Sequence, residues 1–244
     1  EVLAVLGTDH LDALLPEIID GCRSKSPAVR EGHLVLFTFL PLTMHAALQG
    51  HLGRVLPCVL DGLSDEAEGV RDAALAAGRC VIDHYAHSAL ELLLPAVEDG
   101  VLSDSWRIRQ ASVKLLGKLL FKVAGASGNV VVDGGEDDEG AAEEAYGVAI
   151  LEALGRDRFD QVLARLYIIR SDVQYPVRTE ALHVWKTLVV NTPKTLSQVL
   201  PVLMSLVIES LAHPADDRQQ AAARCLGELV RKMGERVLAR IIPI

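Results

Sequence analysis

A single repeated frame constrains this chain more than any other feature. Leu90 to Leu120 reads LELLLPAVEDGVLSDSWRIRQASVKLLGKLL, with Pro95 inside an apolar stretch, then Asp99-Gly100, Ser103-Asp104 and Ile108-Arg109. The frame occurs upstream as Leu56-Pro57, Asp61-Gly62, Ser64-Asp65 and Val70-Arg71, and before that as Leu15-Pro16, Asp20-Gly21 and Val29-Arg30. In each copy the arginine lies fourteen residues past the proline. A unit of about forty residues that reads helix–turn–helix cannot bury its apolar face alone, so it predicts an all-α chain of stacked hairpins.

The predicted architecture is an α-α superhelix, a solenoid of the HEAT type, with about five helical hairpins and partial repeats at both ends. Residues 1–124 read as a partial first unit plus three repeats, 125–144 as an acidic disordered insertion, and 145–244 as two further repeats and the start of another. The block Leu151-x-x-Leu154-Gly155-x-Asp157-x-Phe159-Asp160 repeats Leu3-x-x-Leu6-Gly7-x-Asp9-x-Leu11-Asp12. That register puts Ala164 in the proline slot and Arg178 in the arginine slot of the fourth unit. The fifth unit has Leu200-Pro201, a longer turn with His213-Pro214, and Gln219 in place of the arginine. Val237 to Ile244 restarts a first helix, so the chain reads as a piece of a longer array. Within the hairpins, Pro27 suits a first helical turn, Pro41 should kink or end its helix, and Ser64 or Asp65 is expected to cap the helix that follows.

Half of the residues are hydrophobic but only 4% are aromatic, so the core is expected from Leu, Val, Ala and Ile. Ala73, Ala74, Ala76 and Ala77 should let helices approach closely. The net charge of −9 is concentrated in the insertion, where seven acids (Asp133, Glu136, Asp137, Asp138, Glu139, Glu143, Glu144) meet no base. The remainder is nearly neutral, which argues against generic nucleic-acid binding. Cys22, Cys58, Cys80 and Cys225 form no CxxC pair and fit a reducing cytosol better than a disulfide framework. No apolar run is expected to span a membrane, Leu34 to Leu42 being the longest candidate.

The sequence offers little catalytic chemistry. It contains no dinucleotide or Walker glycine loop, no HExxH and no GxSxG, so no catalytic residue, cofactor or metal is expected. Cys80, His84 and His87 have a C-x3-H-x2-H spacing but lack a fourth ligand, and read as ordinary helix-end residues. Arg107, Lys114, Lys118 and Lys122 recur at helical spacing beside Trp106. They form either a solvated face or a ridge for phosphate or an acidic protein tail. Asp65 with Arg71 and Asp172 with Arg178, six residues apart, and Arg109 in the same slot, are expected to bond turn backbone and the neighbouring repeat as a ladder. Trp185 and Phe37 are expected in the core.

Longer strings point further. Trp106-Arg107-Ile108-Arg109, Leu115-Leu116-Gly117-Lys118-Leu119-Leu120-Phe121, Tyr167 with Arg170-Ser171-Asp172, and Leu182-His183-Val184-Trp185-Lys186 form one set. Asn191-Thr192-Pro193-Lys194-Thr195-Leu196 and the run from Ala222 to Glu235 complete it. Together they resemble the general-control translational activator family, giant cytosolic HEAT-repeat proteins that ride on ribosomes and activate the initiation factor 2 alpha kinase. The resemblance implies a non-catalytic scaffold, a cytoplasmic location, and the ribosome (ribosomal protein or rRNA) and translation-control factors as partners. It also implies a segment beyond the elongation-factor-like region, with the kinase contacted elsewhere in the parent chain. The residues alone leave open a nuclear-transport or phosphatase scaffold, or a structural spacer.

Overall fold

A computed structural model describes residues 8–125 and 147–234. The expected acidic insertion and the two chain-end fragments fall outside the described residues. Among the described residues every regular element is a helix. In chain order these are α1 Thr8–Gly21, α2 Pro27–Thr43, α3 His45–Gln49, α4 Leu52–Gly62, α5 Glu68–Tyr85, α6 Leu90–Val101 and α7 Trp106–Val123. A helical stretch over 147–154 is followed by α8 Arg156–Ile169, α9 Tyr175–Leu188, α10 Thr192–Leu211 and α11 Asp216–Met233. The chain divides into two compact units, Glu1–Gly100 with Leu115–Lys122 and Val101–Lys114 with Val123–Ile244.

In the first unit α1, α4 and α6 are the first helices of successive hairpins, and α2, α5 and part of α7 are the second. The second helices α2 and α5 pack extensively on each other. Their contact buries Leu34, Phe37, Val70, Ala74, Ala77, Val81 and Tyr85. Small residues set the approach. A Cβ at Gly62 would lie 2.9 Å from both the Ala74 Cβ and the Leu34 Cδ1, which accounts for glycine in the Asp-Gly step. Ala73, Ala74 and Ala77 line this contact, whereas Ala76 points to solvent.

Pro16, Pro57, Pro95 and Pro201 each sit inside a helix. A proline leaves the carbonyl four residues earlier without its helical donor. Here those carbonyls belong to Asp12, Gly53, Glu91 and Ser197, all exposed residues. Ala164 occupies the same slot in a helix enclosed by α9, α10 and α11, and is fully buried. The rings of Pro16, Pro57 and Pro201 lie exposed, whereas this slot does not. In α2 the helix continues through Pro41 to Thr43 and breaks at Met44, where φ is −134°.

The second unit centres on α8 and α10, with α9 and α11 against them. The longest apolar helix is α10, not the Leu34–Leu42 stretch: its 20 residues are long and apolar enough to cross a membrane by composition. Leu196, Val199, Leu200, Leu203, Met204 and Val207 are nevertheless buried within the unit, as in a core helix.

Candidate interaction surface and turn ladder

The frame arginine does two jobs at once. Its Nη1 reaches back along its own hairpin to the carbonyls six and five residues earlier: Ser24 and Lys25 for Arg30, Asp65 and Glu66 for Arg71, Ser103 and Asp104 for Arg109, Asp172 and Val173 for Arg178. Four hairpins thus close their turns in the same way. In two of them the rest of the guanidinium forks onto an aspartate in a later turn. Arg30 Nε and Nη2 each donate at 2.7 Å to Asp65, and Arg109 donates to Asp172 at 2.7 and 3.1 Å. A bidentate fork fixes direction as well as distance. Arg109 also reaches Asp217 at 3.1 Å. The fifth hairpin keeps half of the device, since Gln219 Nε2 donates to the His213 carbonyl six residues back.

The aspartates hold their own turns too. Asp65 accepts from the Ala67 N–H at 2.9 Å and Asp172 from the Gln174 N–H at 2.7 Å. The cap position of α5 is therefore Ala67, without a side-chain acceptor, and Asp65 acts two residues ahead of it. The Arg30 hydrogen bond outweighs desolvation and holds the Asp65 carboxyl below its ordinary value of 3.8. A carboxylate depressed in the folded state adds stability above the unfolded pKa and loses it as pH falls through the lower folded value. Asp65→Asn is accordingly expected to be less stable than the parent at neutral pH, with the gap narrowing below pH 3.8. Urea unfolding followed by circular dichroism at stepped pH reads that gap, and a gap constant with pH would reject the assignment.

The basic face of α7 is engaged rather than bare. Lys118 and Lys122 both reach Asp83 on α5, at 2.5 and 3.3 Å. Lys114 lies 3.8 Å from Glu180 on α9. Arg107 is exposed and its guanidinium carbon sits 5.1 Å from the Trp106 ring centre. Burial pushes the Asp83 carboxyl up, but hydrogen bonds and charge from Lys118 and Lys122 prevail and hold it below the ordinary range. Three lysines thus share two acids, and positive charge is left over. Asp83, Glu180 and Asp217 are partners that spacing along one helix does not reveal; aligning the repeats so that Asp83 faces Lys118 was the available signal.

Cys80 and His84 are occupied locally. The Cys80 thiol donates to the Thr38 carbonyl at 3.2 Å, and His84 Nδ1 lies 2.8 Å from the Cys80 carbonyl. Among the described residues no group of three His, Cys, Asp or Glu is placed to hold a metal ion. Trp185 and Phe37 are both buried. Tyr167 meets Trp185 edge-on at 5.1 Å, and the Arg170 guanidinium lies 4.7 and 5.2 Å from their two ring centres.

Comparison with known proteins places this arrangement. The family described as EF3 N-terminal HEAT repeat matches residues 5–127. An elongation-factor-type repeat therefore lies within this chain, not ahead of it as the sequence alone suggests. Protein ILITYHIA of Arabidopsis thaliana is 58% identical over 97% of the chain. Stalled ribosome sensor GCN1 of Homo sapiens is 46% identical over 100% of it. The eIF-2-alpha kinase activator GCN1 of Saccharomyces cerevisiae is 35% identical over 100%. The chain spans 9% of the length of each of these relatives. A designed armadillo repeat protein of solved structure covers 88% of the chain with 99% of its own, at 14% identity and a TM-score of 0.33. The fold assignment accordingly rests on the helices and on the family match. With HEAT-type hairpins in both units and a match to GCN1 proteins along its whole length, the chain belongs to the general-control translational activator family.

Proposed function

We propose that this chain is a non-catalytic HEAT-repeat scaffold segment of a cytoplasmic, ribosome-associated activator of the initiation factor 2 alpha kinase, working when translation stalls or amino acids are scarce. The observation that carries the reading is 46% identity, without loss of coverage, to proteins named stalled ribosome sensor. The ladder supports it, because turns tied to one another hold helix faces in fixed register for docking. We assign the docking role within the segment to the face of α7 bearing Trp106, Arg107, Lys114, Lys118 and Lys122, toward ribosomal phosphate or an acidic protein tail. The kinase is engaged elsewhere in the parent chain.

Co-sedimentation of the chain with ribosomes at graded salt tests this. The parent chain is expected to pellet with ribosomes at low salt and to dissociate as salt rises, since phosphate contacts release counterions. Lys114→Glu with Lys118→Glu should weaken binding by about tenfold or more, with helical content unchanged. Asp83→Asn, which frees Lys118 and Lys122 from their acid, should strengthen it. Equal binding by all three proteins would remove the α7 face from the reading, and no binding at low salt would leave the segment a spacer.

A further inference from the structure

We propose that the exposed face of the second unit's second helices binds single-stranded RNA, whose bases stack on Trp106 and Tyr175 while its phosphates meet Lys114, Lys186, Arg224 and Arg231. The proposal deepens the docking role assigned to α7 and rests on it for Trp106 and Lys114; the residues of α9 and α11 are additional. The repeat register supplies the first observation. Counting from the frame position (Arg109 in α7, Arg178 in α9, Gln219 in α11), the fifth residue onward is Lys114, His183 and Arg224. The eighth is Lys186 in α9, and the twelfth is Arg231 in α11. All belong to one compact unit, and apart from the half-buried Lys114 all are exposed. In the first unit the same slots of α2 and α5 hold Val35 and Ala76, Thr38 and Arg79, Leu42 and Asp83. The basic face is therefore a property of the second unit and not of the repeat, and the near-neutral total charge conceals it.

Contacts within the unit bring these helices together. Arg109 of α7 forks onto Asp172 in the turn before α9, Lys114 lies 3.8 Å from Glu180 of α9, and Arg224 of α11 reaches the Asp172 carbonyl at 3.4 Å. Glu228, between Arg224 and Arg231 in sequence, is taken by Lys232 at 2.6 Å and by the Tyr167 hydroxyl at 3.4 Å. Among the described residues no carboxylate pairs with Lys186, Arg224 or Arg231. Arg224 and Arg231 stand two turns apart, about 10 Å along α11. Cations spread in this way suit a strand of phosphates better than one small anion. Two rings decide the class of partner. Three residues before the frame position stand Trp106 and Tyr175, in the first turns of α7 and α9. Tyr175 is 70% exposed, with the Arg178 guanidinium 5.6 Å from its ring centre, and Arg107 is 5.1 Å from that of Trp106. On α11 the slot is Asp216, so the stacking edge spans two turns. An acidic protein tail has no use for stacking platforms beside its cations, and duplex RNA keeps its bases paired. Unpaired RNA uses both.

Fluorescence anisotropy of a labelled oligouridine strand, titrated with the whole chain at stepped salt, tests this. The parent chain is expected to bind at low salt and to release the strand as salt rises. Tyr175→Ala should weaken binding by about tenfold at an unchanged salt slope, and Tyr175→Phe should retain it. Lys186→Ala with Arg224→Ala should lower the slope by about 1.4, the share of two phosphate contacts on a single strand. These side chains are exposed, so helical content by circular dichroism should match the parent in every variant. Arg79→Ala, in the Lys186 slot of α5, should bind as the parent does. No binding at low salt, equal binding of an oligouridine–oligoadenosine duplex or of polyglutamate, or a Tyr175→Ala variant equal to the parent overturns the proposal. Ribosomes that pellet with a chain unable to hold oligouridine would overturn it and leave the α7 docking reading standing. A chain that holds oligouridine but pellets with no ribosomes would keep the RNA site and remove the ribosome reading.

Discussion

Arg109→Ala is expected to destabilise the second unit by about 3–5 kcal/mol, the usual cost of removing one partner from a buried ion pair. The Arg109 and Asp172 side chains are only 5% and 2% exposed, so removing the guanidinium strands a carboxylate that water cannot reach. It also unties the Ser103 and Asp104 carbonyls and the contact with Asp217. Both tryptophans, Trp106 and Trp185, belong to this unit, so their fluorescence in urea reports its unfolding. At a slope of about 1–3 kcal/mol per molar urea, the midpoint should fall by roughly 1 M or more. Arg109→Met combined with Asp172→Asn should recover most of that loss. The pair then goes neutral together, and the asparagine oxygen still accepts the Gln174 N–H. A single variant no weaker than a surface substitution would show that the fork contributes register but no energy. Arg30→Ala tests the same geometry at a wetter site, where the side chains are 18% and 12% exposed, and should cost less.

The hairpins were legible because one physical device repeats. A proline tolerated on a solvated helix side, a glycine where helices meet, and an arginine that closes the turn must each recur at fixed spacing if neighbouring units are to stack alike. Gln219 shows how far that logic extends: the register located it, and the structure gives it the same reach-back bond. Ala164 shows where it stops, since that slot is fully buried in a helix that contacts three others, a setting no local pattern encodes. The α7 lysines mark a similar boundary. Their common face follows from helical spacing, but Asp83 and Glu180 lie on other helices, so the neutralising partners were invisible until the hairpins were placed. Asp65 was legible as a turn residue and not as to its exact position, because an aspartate serves equally well at the cap or two residues before it.

Trp185→Ala should destabilise the second unit by about 3–5 kcal/mol, the range for emptying a large aromatic site in a core. Trp185 is 2% exposed, and its loss removes more than apolar area. The Tyr167 ring loses its edge-on neighbour, and Arg170 keeps one of the two aromatic faces against which its charge rests. The indole N–H also donates to the Thr192 hydroxyl at 3.1 Å, joining α9 to the start of α10. Trp185→Phe separates these contributions: it refills most of the volume and keeps a ring for Arg170, but cannot make that bond. It should recover the larger part of the loss, leaving about 0.5–1.5 kcal/mol for the hydrogen bond. Circular dichroism in urea is the appropriate readout, because the substitution removes one of the two fluorophores. If Trp185→Phe proved as damaging as Trp185→Ala, the tether to Thr192 would be the dominant contribution. If both were neutral, the α8–α9 contact would be held by its aliphatic residues, and the cluster of Tyr167, Arg170 and Trp185 would have no structural role in this unit.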